Sequence, residues 1–251
     1  MSMTPADAVK DLAPAGVLRA AMNYGNTVLV QRGPAEQEPR GVAPDLAREL
    51  ARRLGVPVHF VSFDGAGPVF DALTAIPPDP KAWDIAFLAI EPVRAAEIAF
   101  TAPYVAIEGT YLVRKDAPYR SVAELDAPGR RILVWPKAAY DLYLTRTLQH
   151  AELVRLQPET VPDLTEAFAR EKLDAIAGVR QLIGKSLPDN PELRMLPDSF
   201  MQIRQAMGTR QGRDIGARYL RAFVDEMKAS GFVADALARS GQSATVPSPD
   251  A

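Results

Sequence analysis

The sequence predicts an α/β protein built as two lobes, each a mostly parallel sheet flanked by helices, with two extended crossovers between the lobes. Three observations lead to this prediction. The chain has 251 residues, which exceeds the roughly 100–150 residues of one typical domain. Strand-like and helical segments alternate along it. The alternation is interrupted by an extended segment, Phe100–Glu108, and then starts again.

The first lobe begins with a strand over 17–22 and a turn over 23–26 that is rich in Asn and Gly. A helix over 41–54 follows, because Pro44 suits a first helical turn and leucines then repeat every four residues. Later segments read as a strand over 56–63, a helix over 68–75 and a strand over 84–90. Strands that alternate with helices in this way indicate a parallel sheet.

The second lobe repeats the pattern after a strand over 110–114. Its predicted elements are a strand over 131–135, a helix over 139–150, a strand over 153–156, a helix over 164–172 and a strand over 174–177. A second extended crossover, 200–208, leads to a long C-terminal helix, and the tail over 243–251 is predicted to be disordered.

The composition excludes several classes of function. There is no Cys, so disulfides, thiolate nucleophiles and Cys-ligated metals are excluded. The formal net charge of −2 provides no overall basic field for nucleic acid. No apolar stretch reaches the roughly 18–20 residues of a membrane span. The partner predicted is therefore a small molecule or a protein, with no nucleic acid and no insertion into a membrane.

Sequence motifs for cofactors and catalysis are also missing. The segment Gly184-Lys-Ser186 lacks the first glycine of a phosphate-binding loop, since residue 179 is Val179. The two histidines, His59 and His150, lie on a predicted strand and at a helix end, where structural roles are the default. We expect no cofactor and no metal.

Candidate ligand contacts follow the carboxyl ends of the first three strands, where open parallel sheets bind ligands. After the first strand come Asn23, Tyr24 and Asn26. The ends of the second and third strands add Phe63, Ala89, Glu91 and Arg94. A guanidinium at Arg94 suits a carboxylate, which it can hold with two parallel hydrogen bonds. The competing interpretation is a surface arginine paired with a nearby glutamate.

The chain resembles the periplasmic solute-binding proteins of polar amino-acid ABC transporters, bacterial extracellular solute-binding protein family 3. The resemblance rests on an ordered set of segments that covers about residues 15–240. These segments are 16–20, 41–58, 83–95 (WDIAFLAIEPVRA), 98–104 (IAFTAPY), 173–178 and 229–233.

The resemblance implies the two-lobed, type II periplasmic-binding-protein-like fold, also called the Venus flytrap. Lobe 1 is then 1–106 with 203–251, and lobe 2 is 107–202. The lobes are expected to close on a small carboxylate or amino-acid-like ligand, with hinges near Tyr104–Glu108 and Phe200–Arg204. Arg94 matches the family arginine that binds the ligand α-carboxylate. The implied partner is an ABC transporter permease, and the expected state is a monomer.

The chain departs from the family pattern at several positions. Glu91 stands where the family has Thr or Ser, and its carboxylate is expected to pin Arg94, to neutralise it in part, or to meet a cationic ligand group. The turn hydroxyl of the second lobe is missing, which leaves the backbone N–H groups of Ala138 and Ala139 as candidate anion contacts. Val179 replaces the ammonium-binding Asp and is followed by Arg180. Arg180 either binds a further anionic or acceptor group of the ligand or lies solvated at the surface.

Two other functions stay open at this point. The first is a lyase that resembles cyclohexadienyl dehydratase, with Glu91 or Glu108 as the proton donor. The second is a cytoplasmic ligand sensor. The family resemblance implies a periplasmic location, while the first residues show no basic segment followed by an apolar core of the kind that opens a signal peptide.

Overall fold

The computed structural model describes residues 4–35, 38–76, 82–156, 166, 168 and 170–248. The chain separates into two units. Unit 1 comprises Met1–Ala106 and Arg204–Ala251, and unit 2 comprises Ile107–Ile203. Each unit is described by itself below.

Nine strands run through the described part of the chain: β1 (Leu18–Asn23), β2 (Val58–Phe63), β3 (Ile85–Ala89), β4 (Ile98–Arg114), β5 (Arg131–Val134), β6 (Glu152–Arg155), β7 (Ala175–Val179), β8 (Leu193–Met195) and β9 (Met201–Arg210). The helices of the same residues are α1 (Pro5–Leu12), α2 (Val42–Leu54), α3 (Ala66–Thr74), α4 (Pro92–Ala95), α5 (Ala139–Thr147), α6 (Arg180–Ile183), α7 (Asp214–Ala229) and α8 (Phe232–Arg239). The unit boundaries fall inside β4 and β9.

In unit 1 the strand order is β2-β1-β3-β9-β4. β1 lies between β2 and β3 and is parallel to both, while β9 is antiparallel to β3. In unit 2, β5 lies between β6 and β7 and is parallel to both, and β4 is antiparallel to β7 and β8. The predicted fold class, a mixed α/β fold with helices flanking the sheets, is confirmed.

α2 shows how local sequence produces the layers. Leu46, Leu50 and Leu54 repeat every four residues and are buried, so one face of the helix packs inward. Gly55 ends the helix with a left-handed φ of 70°, a conformation that costs glycine little. The helix begins at Val42, one residue after the predicted start, with Gly41 as its N-cap.

Two differences from the predicted elements have physical causes. α1 was not predicted, although Thr4 and Asp7 form a capping box that satisfies backbone N–H groups at its start. The prediction of a disordered tail is wrong at Thr245, whose N–H and carbonyl exchange hydrogen bonds with Ala106 of β4 (3.2 and 2.8 Å). The helix predicted over 164–172 lies largely outside the described residues, and Glu166, Phe168 and Arg170 within it are helical.

An aspartate locks the central strand pair of unit 1. Asp84, directly before β3, has no solvent exposure. Its N–H donates to the carbonyl of Arg19 on β1 (2.8 Å), and its carboxylate accepts the N–H of Arg19 in return (3.1 Å). The guanidinium groups of Arg19 and Arg213 donate to the same carboxylate at 2.9–3.1 Å. The carboxylate therefore sets the register of β1 against β3.

Unit 2 uses the same device. Asp174, directly before β7, donates its N–H to the carbonyl of Arg131 on β5 (2.8 Å) and accepts the N–H of Arg131 (2.9 Å). Its other carboxylate oxygen accepts from the Tyr119 hydroxyl (2.6 Å) and from Arg130 (3.2 Å). Burial works against the charged form, but these hydrogen bonds and the Arg130 charge hold the pKa of Asp174 below its ordinary value.

We expect Asp84→Ala to destabilise the protein by about 3–5 kcal/mol, because it leaves two guanidinium groups without their buried partner. Urea denaturation followed by circular dichroism measures the change. Glu152→Ala is the control, since the side chain of Glu152 is 65% exposed and its ion pair with Arg131 is long, at 3.6 Å. If Asp84→Ala lowers the free energy of unfolding no more than the control does, the Asp84 carboxylate does not hold the two strands in register.

Glu49 on α2 gives a pH-dependent prediction. Hydrogen bonds from Arg52, opposed by burial and assisted by Arg53, lower the pKa of Glu49 from 4.5 to about 2. Because the folded-state pKa is depressed, the stabilisation is complete above 4.5 and is lost as the pH falls towards 2. We expect Glu49→Gln to cost about 1 kcal/mol at neutral pH, allowing for solvent screening at the exposed Arg52. The difference from wild type should disappear in urea titrations as the pH approaches 2.

Candidate functional site

The carboxyl ends of three neighbouring strands in unit 1 form the edge that the sequence predicts as the site. Asn23 of β1 lies opposite Phe63 of β2, and Tyr24 donates its N–H to the Phe63 carbonyl (2.9 Å). β3 runs alongside β1, with Ala21 opposite Ala86, and ends at Ala89. The register therefore places Asn23, Phe63 and Ala89 at one edge of the sheet.

The turn after β1 is held tightly. The Asn23 side-chain oxygen accepts the N–H of Gly25 (3.1 Å), and the N–H of Asn26 donates to the Asn23 carbonyl (3.1 Å). A side chain at Gly25 would place its Cβ 2.7 Å from the Asp64 carbonyl oxygen, so the turn requires glycine there. The turn is thus packed directly against the chain that follows β2.

Tyr24 is partly exposed, and its ring is covered by Arg32. The guanidinium carbon of Arg32 lies 4.4 Å from the ring centroid, and the same group pairs with Asp64 at 3.3 Å. Both charged side chains are largely exposed, so the ion pair contributes little to stability. The contact nevertheless places a cation over the aromatic face.

α4 carries the charged pair of the site. Pro92 begins the helix, Glu91 precedes it, and the N–H of Arg94 donates to the Glu91 carbonyl (3.0 Å). The side chains of Glu91 and Arg94 are buried, at 2% and 1% exposure. The Arg94 guanidinium donates to the Ala89 carbonyl at the end of β3 (3.2 Å). Glu91 and Arg94, which are three residues apart in the sequence, are therefore both shielded from water.

Burial is the main influence on the Arg94 charge. Loss of solvent lowers the pKa of Arg94 to about 10, while the Glu91 carboxylate acts in the opposite sense and favours the charged form. At neutral pH the guanidinium is still a cation. A carboxylate attracts such a cation more strongly here than in water, because the local dielectric constant is lower.

Gln205 is a buried polar residue at this edge that the sequence reasoning missed. It lies opposite Ala89 in the antiparallel β3–β9 pair and is 6% exposed. Directly opposite residues on neighbouring strands place their side chains on the same face. A glutamine among the apolar residues of the second crossover, 200–208, was the available signal.

In unit 2, Arg180 is engaged within the unit. Its Nε donates to the Glu108 carboxylate (2.7 Å), and its terminal nitrogens donate to the carbonyls of Leu196, Pro197 and Asp198 (3.3, 3.1 and 2.7 Å). The Ser199 hydroxyl donates to the same Glu108 carboxylate (2.9 Å). Arg180 thus clamps β4 to the segment that leads into β9.

The same clamp bears on the lyase hypothesis. Glu108, one of the two acids considered for it, accepts hydrogen bonds from Arg180 and Ser199. Both hydrogen bonds are made within unit 2 and engage this carboxylate in holding β4 to the segment before β9. The geometry of Glu108 therefore favours a structural role.

At the start of α5 the Asp141 carboxylate accepts a backbone N–H group. The N–H of Lys137 donates to the Asp141 carboxylate (2.8 Å), and the N–H of Ala138 donates to the Trp135 carbonyl (3.2 Å). Asp141 is 3% exposed and pairs with Arg155 (2.9 Å). The sequence predicted the N–H groups of Ala138 and Ala139 as anion contacts at this helix. The N–H of Ala138 is already used by the Trp135 carbonyl, so Ala139 is the remaining candidate.

A groove of about 620 Å³ lies beside the start of α2 and includes four arginines in its lining, Arg32, Arg40, Arg48 and Arg239. Asp45 pairs with Arg48 (3.4 Å) and with Arg239 (3.0 Å). These pairs neutralise part of the positive charge inside the groove.

The described residues lack two further features. No group of three or more His, Asp or Glu side chains is placed to hold a metal ion in that part of the chain. No described helix is long and apolar enough to cross a membrane.

Several solved structures share this fold. Holo ArgBP from T. maritima is 21% identical with a TM-score of 0.69, and the match covers 90% of this chain and 97% of that chain. An amino acid ABC transporter substrate-binding protein from Streptococcus pneumoniae, bound to L-arginine, is 17% identical with a TM-score of 0.71. That match covers 97% of this chain and 100% of that chain. An ancestral amino acid-binding protein, a precursor of cyclohexadienyl dehydratase, is 19% identical with a TM-score of 0.70. That match covers 92% of this chain and 98% of that chain. The fold is that of the periplasmic binding proteins.

The sequence itself identifies the family. Residues 29–240 match the bacterial extracellular solute-binding proteins, family 3. The chain belongs to this family, as the sequence resemblance indicated. A comparison with curated proteins finds no match.

The Arg180 clamp can be tested directly. We expect Arg180→Ala to destabilise the protein by about 1–3 kcal/mol, because charge-assisted hydrogen bonds to one carboxylate and several carbonyls are lost. A double-mutant cycle with Glu108→Gln, measured by urea denaturation, should show a coupling energy of about 0.5 kcal/mol or more. Additive effects of the two changes would show that the pair does not clamp the unit.

Proposed function

We propose that the protein binds an amino acid or another small carboxylate, and that Arg94 holds the ligand carboxylate. The observation that carries the proposal is the buried guanidinium of Arg94 at the carboxyl edge of the unit 1 sheet. Membership of the solute-binding family supports the binding of a solute. The structural neighbours bound to arginine support an amino acid as the ligand class.

The residues of unit 1 suit this task. Parallel strands deliver Asn23, Phe63 and Ala89 to one edge, where ligands of open α/β sheets bind. A planar guanidinium can form two parallel hydrogen bonds with a carboxylate, which fixes the orientation of the ligand as well as its charge. Glu91 supplies a nearby negative charge, which favours a ligand that carries a positive group in addition to its carboxylate.

The proposed site includes fewer residues of unit 2 than the sequence suggested. We leave Arg180 out, because its donors are committed to Glu108 and to backbone carbonyls. We leave Ala138 out, because its N–H donates to Trp135. Ala139 remains in the proposal.

The proposed mode of capture is the hinge closure that the family implies, with hinges near Tyr104–Glu108 and Phe200–Arg204. The proposed partner is an ABC transporter permease, and the proposed state is a monomer. The family is that of extracellular solute-binding proteins, so we propose delivery of the solute from outside the cytoplasmic membrane.

Arg94 is tested by ligand-induced thermal stabilisation. The panel consists of the twenty common L-amino acids and simple mono- and dicarboxylates. A ligand at 100 times its Kd should stabilise the wild-type protein by about 2.7 kcal/mol. The double variant Glu91→Gln/Arg94→Gln removes both buried charges together, which avoids leaving either one unpaired, and is expected to fold and to lose this response.

The matched control for this test is Arg218→Ala, which removes an exposed arginine on α7. It is expected to keep the full ligand response. Equal responses in the double variant and in the wild type would refute the role of Arg94. The absence of any response to the panel in the wild-type protein would refute the ligand class.

A further inference from the structure

The turn after β1 contains a buried acceptor that the fold does not use. Asn26 is 7% exposed, and its side-chain Oδ1 has no hydrogen-bond partner among the described residues. The backbone of the same residue is fully engaged. Its N–H donates to Asn23 (3.1 Å), and its carbonyl accepts from Leu29 and Val30 (both 3.0 Å). Three hydrogen bonds thus fix Asn26 in place while the amide oxygen stays unsatisfied.

Several neighbouring groups of this turn have partners within unit 1. The Asn23 side-chain oxygen accepts the N–H of Gly25. Arg32 covers the Tyr24 ring and pairs with Asp64. Of the two asparagines that the sequence places in the candidate site, Asn26 is therefore the one whose side-chain acceptor has no partner among the described residues.

A buried carbonyl without a donor is unfavourable, so folded proteins rarely keep one without a reason. A ligand that supplies an N–H would remove this penalty on binding. Asn26 follows β1, and Arg94 follows β3, which is the parallel neighbour of β1 in the same unit. The two residues thus flank the same edge, one with an acceptor and the other with a cation.

We propose that Asn26 determines the specificity of the site by accepting a hydrogen bond from the amino nitrogen of the ligand. The inference rests on the proposed function and deepens it. The preferred ligand is an amino acid, recognised by its nitrogen at Asn26 and by its carboxylate at Arg94. A carboxylate of the same shape without the amino group binds more weakly, because it leaves Oδ1 unsatisfied.

The test compares each amino acid that stabilises the protein with its deaminated analogue, using isothermal titration calorimetry. Suitable pairs are L-glutamate with glutarate, L-phenylalanine with 3-phenylpropionate, and L-arginine with 5-guanidinopentanoate. The wild-type protein should prefer the amino acid by about tenfold or more. Asn26→Leu keeps the size of the side chain but removes the acceptor, and should bring the preference close to one.

A second readout separates this role from simple damage to the fold. Because Asn26→Leu removes an unsatisfied buried polar group, its ligand-free melting temperature should equal or exceed that of the wild type. Asn26→Asp keeps an acceptor and should retain the preference for the amino acid. Thr27→Val alters the adjacent exposed residue and is the control, which should match the wild type in both readouts.

The outcomes distinguish the two proposals. If amino acids bind, Glu91→Gln/Arg94→Gln abolishes binding, and Asn26→Leu keeps the wild-type preference, the role of Asn26 is wrong while the proposed function stands. If Asn26→Leu lowers the ligand-free melting temperature, the oxygen has a structural partner and the inference is overturned. If no amino acid of the panel binds to the wild-type protein, the proposed ligand class and the inference fail together.

Discussion

The register between the paired parallel strands is the constraint on which both units depend. In each unit an aspartate directly before the third parallel strand exchanges backbone and side-chain hydrogen bonds with an arginine on the neighbouring strand. Asp84 does this with Arg19, and Asp174 does it with Arg131. A shift of one residue would turn every side chain to the opposite face of the sheet. A buried carboxylate tied to fixed N–H groups makes such a shift costly, which explains why the lock stands at the start of the strand.

The candidate site follows from this register. With β1 and β3 held level at their amino ends, their carboxyl ends are also level, and the turn at Asn23–Asn26 and the short helix α4 share one edge. Local packing then sets the details. Gly25 allows the turn to approach the Asp64 carbonyl, and Arg94 is anchored by the last carbonyl of β3. The cation and the acceptor proposed for ligand recognition are therefore products of strand register as much as of their own side chains.

Much of the fold could be predicted from local sequence. The leucine period of α2, its closing Gly55 and the alternation of strands with helices were sufficient for the fold class. α1 was missed although Thr4 and Asp7 form its capping box, and the pairing of Thr245 with Ala106 has no local signal because the partners are distant in sequence. For the site, the strand-end rule selected the residues of unit 1 around Arg94. It could not show that Gln205 lies opposite Ala89.

The sequence by itself was enough to predict the family and the α/β fold class of this protein and to select Arg94 as a candidate, since these depend on periodicity, strand ends and an ordered set of segments. Only the tertiary structure decided how individual polar groups are used. Arg180 and Asn26 are both ligand candidates in the sequence. Arg180, however, is bound to Glu108 and backbone carbonyls, whereas the amide oxygen of Asn26 is buried with no partner in the part of the chain that the structure describes. The physical reason is that a hydrogen-bonding group is free for a ligand only if no other part of the folded chain satisfies it, and that depends on residues far away in the sequence.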